Sequence, residues 1–149
     1  MAILDSHITG SFIEDRDENI FVGIDLPFHK SDGVDGYFGS TTTTIQAVKN
    51  NIRAFLLTNK GERLMQPNLG LSLRQYLFEP ITEDLMAQIQ TEIKNSIDFW
   101  FPFVTIRDLK ISDSGSSRND VNTLNIFLTF NINKNPNILE SVQVTITGE

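Results

Sequence analysis

The fold of this chain is decided by two stretches, TEDLMAQIQTEIKNSIDFWFPF at residues 82–103 and VNTLNIFLTFNI at residues 121–132. In the first, apolar residues recur every four positions, the spacing of one buried helix face: Leu85, Ile89, Ile93 and Ile97. In the second, apolar and polar residues alternate, as in a strand with one covered face: Leu124, Ile126, Leu128, Phe130 and Ile132. A helical period followed by a strand period predicts an α+β fold, with two main helices packed on one face of a small, mostly antiparallel sheet.

The helix in the first stretch has recognisable ends. Thr82 is a suitable N-cap, and the two carboxylates after it favour the positive end of the helix dipole. Ile81, before the cap, is placed to pack against Met86. The aromatic run 99–103 contains a proline and closes the helix.

A strand follows at Val104–Ile111. Its alternation changes phase between Ile106 and Leu109, which indicates a β-bulge. A polar loop, 113–120, then leads into the alternating stretch described above.

The last predicted strand is Ser141–Thr147, and a turn at 133–137 joins it to the strand before it, so the two should pair as a hairpin. This strand carries no charge, proline or glycine, and the sequence ends two residues after it. We therefore expect an unguarded sheet edge that accepts a strand from another protein. The alternative is a central strand that is already paired on both sides.

A further amphipathic helix is predicted upstream, from the possible caps at Thr41–Thr44 to about Leu57. Its apolar face consists of Ile45, Val48, Ile52, Phe55 and Leu56, whereas Lys49, Asn50 and Arg53 lie off that face. Asn59-Lys60-Gly61 ends the helix, with Gly61 available for a left-handed C-cap. A tight connector follows, and then a short helix or helical turn at 71–78 that Pro80 stops.

Residues 1–40 lack such regularity and are interpreted as an extended N-terminal arm, with 41–149 as the α+β domain. Within the arm, 20–24 fits a short strand, and Pro27 limits it to a sheet edge. Its apolar anchors include Phe12, Phe21, Phe28, Tyr37 and Phe38. These aromatics imply that the arm lies against something, either its own core or a neighbouring subunit.

The composition narrows the classes of partner. The net charge of −7 disfavours direct binding to nucleic acid and to anionic membranes. Because the chain has no cysteine, it can form neither disulfides nor thiolate metal sites, which fits folding in a reducing cytoplasm. We expect no signal peptide, because the first residues lack the basic start and apolar stretch of one, and no membrane span, because no apolar run is long enough.

The sequence offers little chemistry for catalysis, and we predict no enzyme, no cofactor and no metal site. His7 and His29 lack metal-ligand spacing. Glu79 lies between Phe78 and Pro80, an apolar setting that favours a protonated carboxyl. Glu79 and either Glu83 or Asp84 could then form the two-carboxylate pair of a glycoside hydrolase. The alternative function is therefore a small, lysozyme-like glycoside hydrolase. The simpler interpretation is that Glu83 and Asp84 are helix N-terminal charges and that Glu79 is a helix-end residue.

The connector carries the most specific pattern in the chain. It reads LTNKGERLMQPNLG at residues 57–70, with LFEP at 77–80. The ordered set resembles the baseplate wedge and sheath-initiator family of contractile phages, typified by gene product twenty-five of the T-even phages. The resemblance covers about residues 45–146, and the turn motif consists of Gly61, Glu62, Arg63, Pro67, Gly70, Phe78, Glu79 and Pro80. Some relatives carry a lysozyme label, which no residue of this chain supports.

The resemblance implies a structural baseplate subunit of the virion tail, assembled in the host cytoplasm. Its implied partners are other wedge proteins, tail sheath subunits and tail tube proteins, without direct contact to nucleic acid or membrane. The family usually ends its second helix with aromatic-Glu-Pro-Arg, but here both charged residues are replaced by phenylalanine. The expected wedge interface is Trp100, Phe101, Pro102 and Phe103, and the expected sheath-docking strand is Val142, Gln143, Val144, Thr145 and Ile146.

Overall fold

The computed structural model describes residues 21–25, 39–80, 82–113, 123–133 and 135–147. Contacts divide the chain into two compact units, the first ending at Asn51 and the second beginning at Ile52. The predictions that fall outside the described residues concern Phe12, Phe28, Tyr37, Phe38, the two histidines, Pro27, the staple residue Ile81 and most of the 113–120 loop. The division into an arm, 1–40, and a domain, 41–149, stays a prediction.

In the first unit, a small antiparallel pair lies beside the start of a helix. Strand β1 is Gly23–Ile24 and strand β2 is Ser40–Thr41. Asn50, on the helix, donates hydrogen bonds to the Ile24 carbonyl oxygen at 3.3 Å and to the Asp25 carboxylate at 3.1 Å. The observed strand β1 is shorter than the strand predicted at 20–24. Asn50 is buried, although the sequence analysis placed it off the apolar face of the helix.

Helix α1 is Thr44–Leu57, close to the predicted bounds. Its buried apolar face contains Val48, Ile52, Phe55 and Leu56 as predicted. The expected C-cap is wrong in position, because the helix ends at Leu57 and Gly61 lies four residues beyond it. Gly61 does adopt the left-handed conformation, with φ +91°, but it serves the turn that follows.

The second unit continues with a 3-10 helix, Leu73–Phe78, and helix α2, Glu83–Trp100. Thr82 caps α2 as predicted, since its side-chain oxygen accepts a hydrogen bond from the Leu85 amide at 3.2 Å. The four residues of the predicted stripe are the buried residues of α2. At 1.5–3 kcal/mol each before entropy losses, roughly, they anchor this helix to the core.

Three strands form an antiparallel sheet in the order β3-β4-β5. They are β3 (Val104–Asp113), β4 (Thr123–Ile132) and β5 (Asn135–Thr147). The register of β3 shifts between Ile106 and Asp108, which confirms the predicted bulge. The hairpin of β4 with β5 is also confirmed, but β5 begins at Asn135, so the predicted turn at 133–137 is too long.

One face of this sheet is covered and the other is open. The even-numbered residues of β4 from Leu124 to Ile132 are buried, as are Val142, Val144 and Ile146 of β5. Helix α2 packs against β3, and the 3-10 helix lies beside β5. The α+β class predicted from the change of periodicity is confirmed.

Candidate functional site

Four aromatic side chains gather where α2 ends and β3 begins, and Phe99, Trp100, Phe101 and Phe103 are called here the aromatic cluster. Phe99 meets Trp100 edge to face, with ring centroids 5.2 Å apart. Phe101 contacts Phe103 at 6.1 Å. The amide of Phe101 also closes the helix by donating to the Ile97 carbonyl oxygen at 2.7 Å.

The members of the aromatic cluster differ in what surrounds them. Phe101 is half-buried and packs edge to face on Phe55 of the core, with centroids 5.4 Å apart. Phe103 is 44% exposed and Phe99 is 75% exposed. Sequence reasoning omitted Phe99 from the expected interface. The signal was present, because Phe99 lies two positions past Ile97 and so points away from the buried stripe.

A groove of about 520 Å³ lies between the last turns of α2 and the start of β3. It is lined by Lys94, Asp98, Pro102, Val104, Thr105 and Ile106. Charged, polar and apolar side chains thus share the lining of the groove, while the Phe99 and Phe103 rings expose apolar surface of the kind found in protein-protein contacts.

The expected sheath-docking strand lies at an edge of the three-stranded sheet. Among the described residues β5 pairs with β4, and its other side faces no strand. Three of the five expected docking residues, Val142, Val144 and Ile146, direct their side chains into this chain's own core. Gln143 and Thr145 are exposed on the open face, where Thr145 donates to the Asn125 side-chain oxygen at 2.8 Å. Any partner of this edge would thus meet main-chain groups and the side chains of the open face.

The first part of the turn motif, Gly61 to Pro67, lies in a closely bonded loop, residues 59–69, called here the connector loop. The Gly61 amide donates to the Pro67 carbonyl oxygen at 2.8 Å, across the neck of the loop. Glu62 accepts from the side chain of Asn59 at 2.6 Å and from its amide at 3.0 Å. These two bonds hold the pKa of Glu62 below its ordinary value.

The connector loop is fastened to α2 by Glu92. Its carboxylate accepts from Lys60 at 2.9 Å and from the Tyr76 hydroxyl at 2.6 Å. Burial favours the protonated carboxyl, but the two hydrogen bonds and the Lys60 charge outweigh it and lower the pKa of Glu92. The same hydrogen bond, reinforced by burial, raises the pKa of Tyr76. No pattern in the sequence pointed to this link between Lys60, Tyr76 and Glu92.

The proposed catalytic carboxylates do not form a cleft. Glu79, Glu83 and Asp84 are all exposed. The apolar setting expected for Glu79 is wrong, because Phe78 is 80% exposed and Pro80 is exposed as well. Within the described ranges, histidines and carboxylates form no group able to hold a metal ion, and no helix is long and apolar enough to cross a membrane.

The family comparison assigns most of the chain. A family profile described as baseplate wedge protein gp25 matches residues 42–137, which include α1, α2, the connector loop and two of the three long strands. No curated protein matches the sequence.

Three solved structures share the fold at low sequence identity. A Geobacter sulfurreducens protein described as a candidate tail lysozyme aligns over 70% of this chain and 90% of its own, with TM-score 0.60 and 19% identity. A chain of the anti-feeding prophage baseplate aligns over 82% of this chain and 81% of its own, with TM-score 0.54 and 22% identity. A chain of the type VI secretion system baseplate complex aligns over 70% of this chain and 93% of its own, with TM-score 0.58 and 12% identity.

Proposed function

Because this chain belongs to the baseplate wedge protein gp25 family, we propose that it joins wedge proteins of a contractile tail and starts assembly of the sheath. Its role is structural, in the tail baseplate of the virion. In the proposal, the aromatic cluster contacts other wedge proteins and the outer edge of β5 receives a strand from the first sheath ring. Assembly takes place in the host cytoplasm, and tail tube proteins are further neighbours.

The observation that carries the proposal is the position of β5 at the end of the strand order β3-β4-β5. An outer strand presents a row of main-chain donors and acceptors, to which another protein can add a strand. From Ser141 to Thr147 the strand lacks the lysine, proline or bulge that normally guards such an edge. The buried side chains of Val142, Val144 and Ile146 anchor the strand to the core.

The aromatic cluster supports the wedge contact. The family usually has a Glu and an Arg on either side of the proline, and this chain has Phe101 and Phe103 there. The proposed contact therefore contains no unpaired charge from these two positions. Phe99 and Phe103 expose apolar surface of the kind that concentrates at the centres of interfaces.

Proline substitutions on β5 test the docking edge. Amides alternate in direction along a strand, so those of Glu140 and Gln143 point to opposite sides. One bonds β4 and the other faces the open edge. We expect one of Glu140→Pro and Gln143→Pro to unfold more easily. The other should keep its denaturation midpoint and lose sheath assembly.

Sheath assembly is measured by electron microscopy of tails that lack this chain, after addition of purified protein and sheath subunits. A control is Asn125→Lys, which changes the central strand on the same open face. A correctly folded proline variant that starts sheaths at the normal rate would exclude β5 as the docking edge.

The structural role also separates this chain from the hydrolase alternative. The exposed positions of Glu79, Glu83 and Asp84 support a protein without a two-carboxylate site. Hydrolysis of peptidoglycan that is lost in Glu79→Gln or Asp84→Asn would contradict the proposal.

A further inference from the structure

Two apolar side chains at the tip of the connector loop stand almost entirely in solvent. Leu64 is 96% exposed and Met65 is 94% exposed. The other exposed apolar side chains of the described residues keep at least 20% of their surface covered, Phe78 being the nearest at 80% exposed. Because these two adjacent side chains bury almost no surface, they contribute little to the stability of the fold, and their apolar surface is available to a partner.

The connector loop holds this pair in a fixed place. Besides the bond across its neck, Gln66 donates to the Arg63 carbonyl oxygen at 3.2 Å and closes the turn that contains Leu64 and Met65. At its base the Leu71 amide donates to the Thr58 carbonyl oxygen at 2.8 Å. A loop already ordered by internal bonds loses less conformational entropy on binding than a free one.

The charge around the tip is opposite to that of the whole protein. Residues 60–74 contain Lys60, Arg63 and Arg74 against the single carboxylate of Glu62, whereas the chain as a whole carries −7. Glu62 is already held by Asn59, and Lys60 is held by Glu92. Arg63 is exposed and has no ion-pair partner in the part of the chain that the structure describes. Its guanidinium can therefore pair with a carboxylate from outside.

We propose that the connector loop is a preformed docking knob: Leu64 and Met65 insert into an apolar pocket of a neighbouring baseplate protein, and Arg63 pairs with a carboxylate at the pocket rim. This contact rests on the proposed baseplate role but uses neither the β5 edge nor the aromatic cluster. Methionine suits such a pocket because its flexible thioether adapts to irregular apolar surfaces.

Incorporation into baseplates tests the proposal. Tagged protein is produced with the remaining tail genes, and its amount in purified baseplates is measured for the double variant Leu64→Ser, Met65→Ser and for Arg63→Glu. Because these side chains are exposed, both variants should keep the unfolding midpoint of the parent. We expect incorporation of each to fall roughly tenfold, with Arg63→Lys falling less. Ile24→Ser removes a 56% exposed apolar side chain elsewhere and serves as the control.

A photo-crosslinking amino acid at Met65 identifies the pocket within the same particles. Crosslinks should reach apolar residues of another baseplate protein with an Asp or Glu beside them, and reversing that carboxylate to Lys should restore Arg63→Glu. Normal incorporation of the double variant, crosslinks between two copies of this chain, or failure of the charge reversal would each overturn the knob. Failure of the β5 proposal shows differently, as normal sheath assembly on baseplates that have incorporated the folded proline variant.

Discussion

Gly70 is the residue of the connector region with the least room for a side chain. Its φ is +111°, and a Cβ there would overlap the carbonyl oxygen of Thr58. Gly61 also has a positive φ, +91°, but nothing lies within 4 Å of the place where its Cβ would be. The pair separates backbone strain alone from strain combined with a clash.

We expect Gly70→Ala to lower the free energy of unfolding by more than Gly61→Ala. The left-handed conformation costs an L-residue about 1–2 kcal/mol in either variant, and the overlap with Thr58 adds to that cost at Gly70. Chemical denaturation of both variants measures the difference. Equal losses would mean that the backbone at Thr58 moves aside freely.

Glu92 gives a pH-dependent prediction, because its pKa is lowered in the folded chain. A carboxyl with a depressed folded-state pKa stabilises the fold above its ordinary pKa of 4.5, and the contribution is lost as the pH falls through the folded-state value. Glu92→Gln should therefore cost on the order of 1 kcal/mol at pH 7 and progressively less below about pH 4.5.

The measurement is the difference in denaturation midpoint between the parent and Glu92→Gln, taken at several pH values. Using the difference cancels the titration of the other carboxylates. Lys60→Met, which removes the ion pair but leaves the Tyr76 hydrogen bond, should retain part of the effect. A difference that does not change with pH would show that the carboxylate charge is not involved.

At the level of elements, a local sequence pattern was sufficient to predict helix α2 and its bounds. The i, i+4 stripe, the Thr82 cap and the aromatic-proline end were all readable from residues within one helix length, and the bounds Glu83–Trp100 agree with them. The bulge in β3 was readable for the same reason, since a phase change in alternation is visible within one strand. The start of β5 was not, because its pairing of Asn135 with Ile132 depends on the hairpin rather than on alternation.

Substitution of the buried stripe tests the α2 assignment. Ile89 is fully buried, so Ile89→Asp places an unpaired charge in the core and should lower the free energy of unfolding by about 3–5 kcal/mol. The neighbouring Gln88 is exposed, and Gln88→Asp should change it by less than about 0.5 kcal/mol. If Ile89→Asp melts like the parent, this face of α2 does not pack against the core.

For the whole molecule, the proposed wedge contact of the aromatic cluster can be tested separately from its part in folding. Phe99→Ala should leave the free energy of unfolding nearly unchanged, because that ring is mostly in solvent, but it should weaken binding to wedge proteins. Phe101→Ala should lower the free energy of unfolding by about 1–3 kcal/mol, because it removes the contact with Phe55. Denaturation and co-purification with wedge proteins measure the two effects. If wedge binding falls only in proportion to the loss of folding stability in both variants, the aromatic cluster contributes to the core and not to a wedge contact.

Sequence patterns predicted the two long helices, the three long strands, the bulge and the family, because each depends on residues close together along the chain. They did not predict β2 at Ser40–Thr41, which forms by pairing with β1. Which surfaces are free depends on the tertiary structure. Asn50 is buried by a bond to Ile24, 26 residues away, and Glu92 ties down a lysine 32 residues away. The exposure of Leu64 and Met65 and the edge position of β5 among the described strands likewise follow from what does or does not pack over them. Periodicity specifies which residues share a face, but whether that face is covered depends on segments distant in sequence that meet only after folding.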